Sequence, residues 1–290
     1  ELRQEISSYV ARKYDTQYDP MKQVLVTVGG SEAIDVALRC MVDPGDEVLI
    51  PQPSYVSYLP CAVMADAVPV FINLKEENQF KLTKEELLEH ITDKTKILIM
   101  PFPNNPTGAI MTREELMELV PVIIEKDLYV ISDEIYSELT YGDNKHCSIA
   151  SLPGMKERTI MINGFSKAFA MTGWRLGYAC GPAEIIKQMI KLHQYAIMCA
   201  PTNSQFAAVE ALRNCDTEVE KMVTAYDQRR RFLLHELKSM GIDCFEPFGA
   251  FYIFPSIKKF GMTSDEFASR LLEDQKLAVV PGTAFGNSGE

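Results

Sequence analysis

Residues 163–178 read NGFSKAFAMTGWRLGY, and this stretch decides the fold and the chemistry expected of the chain. The apolar run 159–163 predicts a buried strand, after which the chain breaks at Gly164 and presents Lys167. A lysine amine that is partly desolvated near a second cation has a lowered pKa and can attack a carbonyl carbon to form a Schiff base. Arg175 follows and has a planar fork of donors that suits a phosphate. An aldehyde and a phosphate together indicate pyridoxal phosphate, although most lysines are only solvated surface groups.

The composition sets limits on the class of protein. The chain has 290 residues, of which 47% are hydrophobic and 24% are charged, and this predicts a globular chain with a large core and two domains. A net charge of −11 argues against nucleic acid and anionic membranes as partners. The 7 cysteines are spread singly and the 4 histidines are dispersed, which predicts reduced thiols, a cytoplasmic location and no metal site.

Seven short apolar runs predict strands that are buried on both faces, as in a parallel sheet covered by helices. They are residues 24–28, 47–50, 68–72, 96–100, 129–132, 159–163 and 177–180. Helical patterns lie between several of these runs, and two of them begin with capping boxes, Thr83 to Glu86 and Thr112 to Glu115. The alternation of strands and helices predicts an α/β domain.

After residue 180 the pattern changes. Helical patterns cover residues 182–199, 204–212 and 219–240, followed by a predicted strand at 251–254 and a helix capped by Thr263 and Glu266. This predicts a smaller α+β domain, with a boundary near 222 that divides the chain into residues 1–222 and 223–290.

Polar groups follow two of the predicted strands. Gly29, Gly30 and Ser31 open a helix whose first backbone N–H groups can bind an anion, although a plain strand-to-helix turn is the simpler interpretation. Asn105 follows the run 96–100 and is either a ligand-binding amide or part of a turn.

Acidic and aromatic side chains hold similar positions on other strands. Asp133 ends the run 129–132 and could keep a pyridine nitrogen protonated, or it could simply cap a helix. Tyr136 could donate to a phenolate oxygen, and Tyr55 could stack on an aromatic ring or pack in the core. Because open α/β sheets bind ligands beyond the carboxyl ends of their strands, the whole set predicts one cofactor site.

Three elements, in this order, resemble the class I aminotransferases of pyridoxal-phosphate fold type I, the aspartate and aromatic aminotransferase group. They are Asn-Pro-Thr-Gly at 105–108, Ser-Asp-Glu-Ile-Tyr at 132–136, and Gly-Phe-Ser-Lys with Gly-Trp-Arg-Leu-Gly within 164–177. The resemblance covers essentially the whole chain. It implies a homodimeric enzyme with a mixed, mostly parallel seven-stranded sheet sandwiched by helices, and a smaller α+β C-terminal domain.

The resemblance also implies a role for each matched residue. Lys167 is similar to the lysine that forms the Schiff base with pyridoxal 5′-phosphate and shuttles a proton, and Asp133 to the carboxylate that pairs with the pyridine nitrogen. The other implied cofactor contacts are Asn105 and Tyr136 at the ring's 3-oxygen, Tyr55 on the ring face, and Gly30, Ser31, Ser166 and Arg175 at the phosphate.

The chain departs from the family pattern in one position and lacks two family residues. Many members have a serine where this chain has Gly164, so the phosphate contacts are expected to depend more on Arg175 and the helix N-terminus. The family's cross-dimer tyrosine falls before Glu1, and the arginine that clamps the substrate carboxylate falls after Glu290. Both ends are therefore expected to be cut from a longer chain, and the 290 residues alone are expected to be poorly active.

The resemblance limits the substrate without naming it. Aspartate-specific relatives place a cation directly after the paired glycines, where this chain has Ser31, or after the helix near Lys191, where no Arg or Lys occurs before Arg213. A neutral or aromatic donor is expected to compete well with aspartate, with a 2-oxo acid as acceptor in a ping-pong reaction.

A pyridoxal-phosphate β-lyase of the same fold is the alternative, because the cofactor residues serve every reaction that begins at a Cα carbanion. A sensor fused to a DNA-binding module is disfavoured by the charge, and a plain Rossmann-type domain leaves Lys167 unexplained.

Overall fold

A seven-stranded sheet forms the centre of the computed structural model, which describes residues 1–290. Its strands are β1 (Val24–Thr27), β2 (Glu47–Gln52), β3 (Val68–Asn73), β4 (Thr95–Met100), β5 (Tyr129–Asp133), β6 (Thr159–Gly164) and β7 (Gly177–Cys180), in the order β1-β7-β6-β5-β4-β2-β3. β7 runs antiparallel to β1 and β6, and the other neighbours are parallel. The seven predicted strands are confirmed, because each lies within about two residues of its observed bounds.

Ten helices surround the sheet and continue beyond it. They are α1 (Leu2–Tyr14), α2 (Gly30–Met41), α3 (Tyr58–Met64), α4 (Lys84–His90), α5 (Arg113–Glu125), α6 (Phe165–Ala168), α7 (Ala183–Ala196), α8 (Thr202–Asn214), α9 (Asp216–Ser239) and α10 (Ser264–Gln275). The predicted capping boxes at the starts of α4, α5 and α10 are all formed. None of the helices combines the length and the apolar character that a bilayer span requires.

The strands are apolar at successive positions because both faces of the sheet are covered. In β2, Val48 and Ile50 pack against buried residues of α2 and α3, whereas Leu49 between them packs on the opposite side with residues of α5. β4 repeats this alternation. Since each buried aliphatic side chain contributes about 1.5–3 kcal/mol, the two apolar layers fix the sheet and therefore the edge at which its loops meet.

The strand predicted at 251–254 is wrong, because these residues join no ladder. The backbone N–H groups just before them, those of Gly249 and Ala250, donate to the carbonyls of Gly108 and Leu139 at 2.9 Å. Aromatic and β-branched residues favour a strand only where another strand lies alongside, and here two loops take that place. Helix α9 runs continuously through residue 222, and the division of the chain at that position stays a prediction.

Candidate active site

All nine predicted site residues line one cleft of about 270 Å³ at the edge of the sheet where the parallel strands end. They are Gly30, Ser31, Tyr55, Asn105, Asp133, Tyr136, Ser166, Lys167 and Arg175. Most of them follow a strand, as expected. Arg175 instead precedes β7, and it reaches the same edge because β7 is antiparallel to β6. The sheet topology therefore brings together groups that are far apart in the sequence.

One end of the cleft is an anion cradle, formed by Gly30, Ser31, Ser166, Thr172 and Arg175. The α2 helix begins at Gly30, so its first N–H groups have no partner within the helix and favour a negative charge. The Nη1 of Arg175 donates to the carbonyl of Thr172 at 3.1 Å, and the hydroxyl of Thr172 donates to the carbonyl of Ser166 at 2.9 Å. These bonds connect Ser166, Thr172 and Arg175, the three cradle residues of the segment between β6 and β7.

Two glycines allow this cradle to close. Gly29 has a φ of 87°, and a Cβ built on it would lie 2.8 Å from Nη2 of Arg175, so a side chain would displace the guanidinium. A Cβ built on Gly164 would lie 3.0 Å from the Cα of Gly177 and from the carbonyl oxygen of Leu176. The glycine that replaces the family serine therefore lets β6 and β7 approach closely.

A carboxylate that bonds to a buried histidine fixes the loop before the cradle. The carboxylate of Glu32, in the first turn of α2, accepts a hydrogen bond from the backbone N–H of Val28. Its other oxygen lies 2.6 Å from Nδ1 of His193, a buried residue of α7. The hydroxyl of Thr27 donates to the carbonyl of Gly29 at 2.9 Å. Sequence analysis missed Glu32 and His193, because nothing local indicates that α7 packs on the start of α2.

The same cleft holds Asp133, a carboxylate that is only 7% exposed. Its Oδ2 accepts a hydrogen bond from the hydroxyl of Tyr58 at 2.7 Å, and its Oδ1 accepts one from the N–H of Ile135 at 3.2 Å. Burial raises the pKa of Asp133, and the bonds from Tyr58 and Ile135 offset that effect only in part. A cation placed beside this carboxylate would lower its pKa and relieve the cost of its burial. Tyr58 was missed by sequence analysis, although it follows Tyr55 closely.

Lys167 lies between aromatic rings in the same cleft. Its Nζ is 5.8 Å from the ring centroid of Tyr136 and 5.4 Å from that of Phe251. The hydroxyls of Tyr136 and Tyr252 are 2.5 Å apart. Sequence analysis missed Phe251 and Tyr252 because it assigned both to a strand.

Two polar groups in the cleft lack the partners that buried groups normally have. The Oδ1 of Asn105 is buried and has no hydrogen-bond partner, and Asp133 forms no ion pair within 4 Å. The charge of Lys167 lowers the pKa of Asp133, but less than burial raises it. The cleft thus fits a ligand that carries a phosphate at one end and a ring with a cationic nitrogen and a polar oxygen at the other.

Comparisons with known proteins agree with this geometry. The profile of the family described as "Aminotransferase class I and II" matches residues 1–290. The YugH protein of Bacillus subtilis (strain 168) is 49% identical over 289 residues, which is 100% of this chain and 75% of that protein. An aspartate aminotransferase of Pyrococcus abyssi (strain GE5 / Orsay) is 46% identical over 292 residues, with the same coverage. The solved structure of an aromatic aminotransferase from Pyrococcus horikoshii OT3 superposes with a TM-score of 0.98 at 44% identity, covering 99% of this chain and 78% of that chain.

Proposed function

This chain belongs to the class I and II aminotransferase family, and we propose that its cleft binds pyridoxal 5′-phosphate for the transfer of an amino group from an amino acid to a 2-oxo acid. The chain is an enzyme that transfers amino groups. One observation carries the proposal for the cofactor: an anion cradle, a lysine amine and a buried carboxylate without an ion-pair partner line a single cleft. These three groups match the phosphate, the aldehyde and the ring nitrogen of one molecule.

Each end of the cofactor would be held by groups that line the cleft. The N–H groups of Gly30 and Ser31, with the side chains of Ser166 and Arg175, would bind the phosphate. Asp133 would hold a proton on the ring nitrogen through its negative charge. The other contacts would be Asn105 and Tyr136 with the ring oxygen and Tyr55 against the ring face.

The chemistry would be divided between the cofactor and Lys167. When bound, pyridoxal phosphate supplies a Schiff-base linkage and an electron sink for the electrons of the substrate Cα–H bond. The Nζ of Lys167 removes the proton from Cα of the donor, and in the second half-reaction it delivers a proton to Cα of the product amino acid. Tyr58 keeps the Asp133 carboxylate oriented through its 2.7 Å hydrogen bond.

The cleft has cations for the cofactor but none to spare for an acidic substrate side chain. Lys167 and Arg175 are the cationic residues that line it, and the proposal uses both. A buried carboxylate without a partner is costly, by several kcal/mol. We therefore expect neutral and aromatic donors to compete well with aspartate, with 2-oxoglutarate as an acceptor. The names of the relatives cover both an aspartate and an aromatic aminotransferase.

A homodimer is also part of the proposal. Tyr195 on α7 is 92% exposed, Met198 on the turn after α7 is 77% exposed, and Phe206 on α8 is 67% exposed. Neighbouring exposed apolar side chains of this size mark a protein interface, and a second copy of the chain is the expected occupant. Sedimentation equilibrium should give twice the chain mass, and Met198→Lys should weaken the association. A cytoplasmic location is proposed with it, supported by seven cysteines that are all free.

The decisive experiment supplies the protein with pyridoxal phosphate, 2-oxoglutarate and a panel of donors: aspartate, alanine, methionine, phenylalanine and tyrosine. Glutamate should form with neutral and aromatic donors, and only when the acceptor is present. Release of ammonia, pyruvate and the Cβ substituent from a donor that carries a leaving group on Cβ, such as an S-alkylcysteine, without any acceptor would support the β-lyase alternative instead. A preference for aspartate above about a hundredfold in kcat/KM, or roughly 2.7 kcal/mol, would contradict the absence of a distal cation.

A further inference from the structure

We propose that Tyr252 is a positioning residue, which donates its hydroxyl proton to Tyr136 and so directs the proton of Tyr136 towards the cofactor. The proposal rests on the proposed function, because it concerns the bond that Tyr136 makes to the ring oxygen. The two hydroxyl oxygens are 2.5 Å apart, so one of them donates to the other. Each hydroxyl carries one proton. If Tyr136 donates to the cofactor, its oxygen is left as the acceptor, and Tyr252 must be the donor.

The segment that carries Tyr252 is held firmly against the cleft. The N–H of Ala250 donates to the carbonyl of Leu139 at 2.9 Å, and the hydroxyl of Tyr141 donates to the carbonyl of Ala250. These bonds attach the segment to the loop that follows Tyr136 and so hold Tyr252 next to Tyr136.

A second attachment joins the same segment to the loop that contains Asn105. The N–H groups of Phe248 and Gly249 both donate to the carbonyl of Gly108, at 3.1 and 2.9 Å. The contact is close, because a Cβ built on Gly249 would lie 2.5 Å from Cβ of Pro103. Tyr252 is therefore placed by contacts with both of the loops that supply ring-oxygen ligands, Asn105 and Tyr136.

Aromatic packing fixes the orientation of the pair. The ring of Phe251 lies 4.8 Å from that of Tyr252 and 5.4 Å from that of Tyr136. The titratable groups around the two hydroxyls are Asp133 from β5, Lys167 from α6 and Tyr55 from the loop after β2. A hydroxyl that accepts one hydrogen bond becomes a better donor in the next, by about 10–30%. Loss of the Tyr252 hydroxyl should thus leave more negative charge on the ring oxygen.

The test is a pH titration of the visible absorbance of the protein loaded with pyridoxal phosphate, for wild type, Tyr252→Phe, Tyr136→Phe and the double variant. A more negative ring oxygen would hold a proton more tightly on the nitrogen through which Lys167 is linked to the cofactor. Tyr252→Phe should therefore move the midpoint of the titration to higher pH, by roughly a few tenths of a unit. Tyr136→Phe should move it further in the same direction. The double variant should match Tyr136→Phe, because Tyr252 acts through Tyr136.

Tyr226→Phe is the matched control, since Tyr226 stacks on Phe251 at 5.4 Å but its hydroxyl bonds to no protein group in the structure. It should titrate like wild type. A Tyr252→Phe midpoint equal to that of the control would overturn the inference, and so would a further shift in the Tyr136→Phe background. A wild-type protein without any visible band on loading would instead contradict the proposed function, so the two failures are distinguishable.

Discussion

Asp133 and Glu134 are neighbouring buried carboxylates that differ in the number of side-chain partners each one has. Glu134 is 0% exposed, and its oxygens accept hydrogen bonds from Ser132 at 2.8 Å and Ser148 at 2.7 Å and lie 2.7 Å from Nε2 of His146. All of these partners come from the protein itself. The environment of Glu134 is therefore complete without a ligand.

Asp133 faces the cleft instead and lacks a comparable set of partners. It has one side-chain donor and one backbone donor, no cation at contact distance, and a pKa raised chiefly by burial. The contrast separates two uses of a buried carboxylate. One ties loops together, and the other keeps its charge available for a ligand, at a cost in stability. Substitutions can show whether a residue mainly stabilises the fold or mainly serves the ligand.

Lys167→Ala, a substitution in the cleft, should have the largest effect on turnover. Turnover should fall by at least about a thousandfold, because the nucleophile and the proton carrier are lost together. Steady-state kinetics would measure the loss. Borohydride reduction of wild-type protein loaded with the cofactor should leave the cofactor on the peptide that contains Lys167. If mass spectrometry found it on another lysine, the assignment of Lys167 would be wrong.

Asp133→Asn should separate chemistry from stability. We expect kcat to fall by about 10²–10³, because an amide cannot supply the charge that holds the ring nitrogen protonated. The cofactor-free variant should nevertheless be at least as stable as wild type at pH 7, since a desolvated carboxylate has been removed. A variant with near wild-type kcat would contradict the role of the charge.

The pH dependence of that stability difference has a definite sign. Because the folded pKa of Asp133 is raised, its contribution to stability is present below the unfolded pKa and is lost as the pH rises through the folded pKa. The free energy of unfolding of Asp133→Asn, relative to wild type, should therefore increase from pH 4 to pH 7. Urea denaturation of both cofactor-free proteins at the two pH values would measure it, and a decrease over that range would refute the assignment.

Glu134→Gln makes the same acid-to-amide change at the neighbouring carboxylate, and it should lower stability while leaving kcat nearly unchanged. The free energy of unfolding should fall by about 1–3 kcal/mol, because a buried donor loses its acceptor. At saturating cofactor, kcat should change by less than about threefold. If kcat instead fell as far as in Asp133→Asn, the distinction between the two carboxylates would be lost.

The smallest effect concerns a third acid, the partly buried Glu32, which joins the loop before the anion cradle to α7. Glu32→Gln should weaken the hold on the loop before the anion cradle and raise the Kd for pyridoxal phosphate by roughly threefold to tenfold. Fluorescence titration would measure the Kd, with kcat at saturating cofactor nearly unchanged. His193→Gln should reproduce the effect, and an unaltered Kd in both variants would show that the pair does not position the cradle.

Much of the fold and nine of the residues that line the cleft could be predicted because the signals are local. A strand buried on both faces is apolar at every position, and a capping box lies within four residues, so both appear in the sequence itself. Lys167, Asp133 and Asn105 stand where their strands end, and the topology of an open sheet brings such ends to one edge.

The misses involve contacts between distant segments. Tyr58 bonds to Asp133 across 75 positions, Tyr252 bonds to Tyr136 across 116, and His193 pairs with Glu32 across 161. The wrong strand at 251–254 has the same origin, since its residues have strand-like side chains but the docking of the preceding backbone on two loops leaves them no pairing partner.

The sequence by itself determined the strands and the helix starts, because burial pattern and capping are properties of short segments, and it named nine of the side chains that line the cleft. Only the tertiary structure decided which partner each buried polar group receives. Hydrogen bonds require positions within a few tenths of an ångström, and the packing of whole elements sets those positions. That is why the partners of Glu134 were unknown until the loop with His146 and Ser148 was in place.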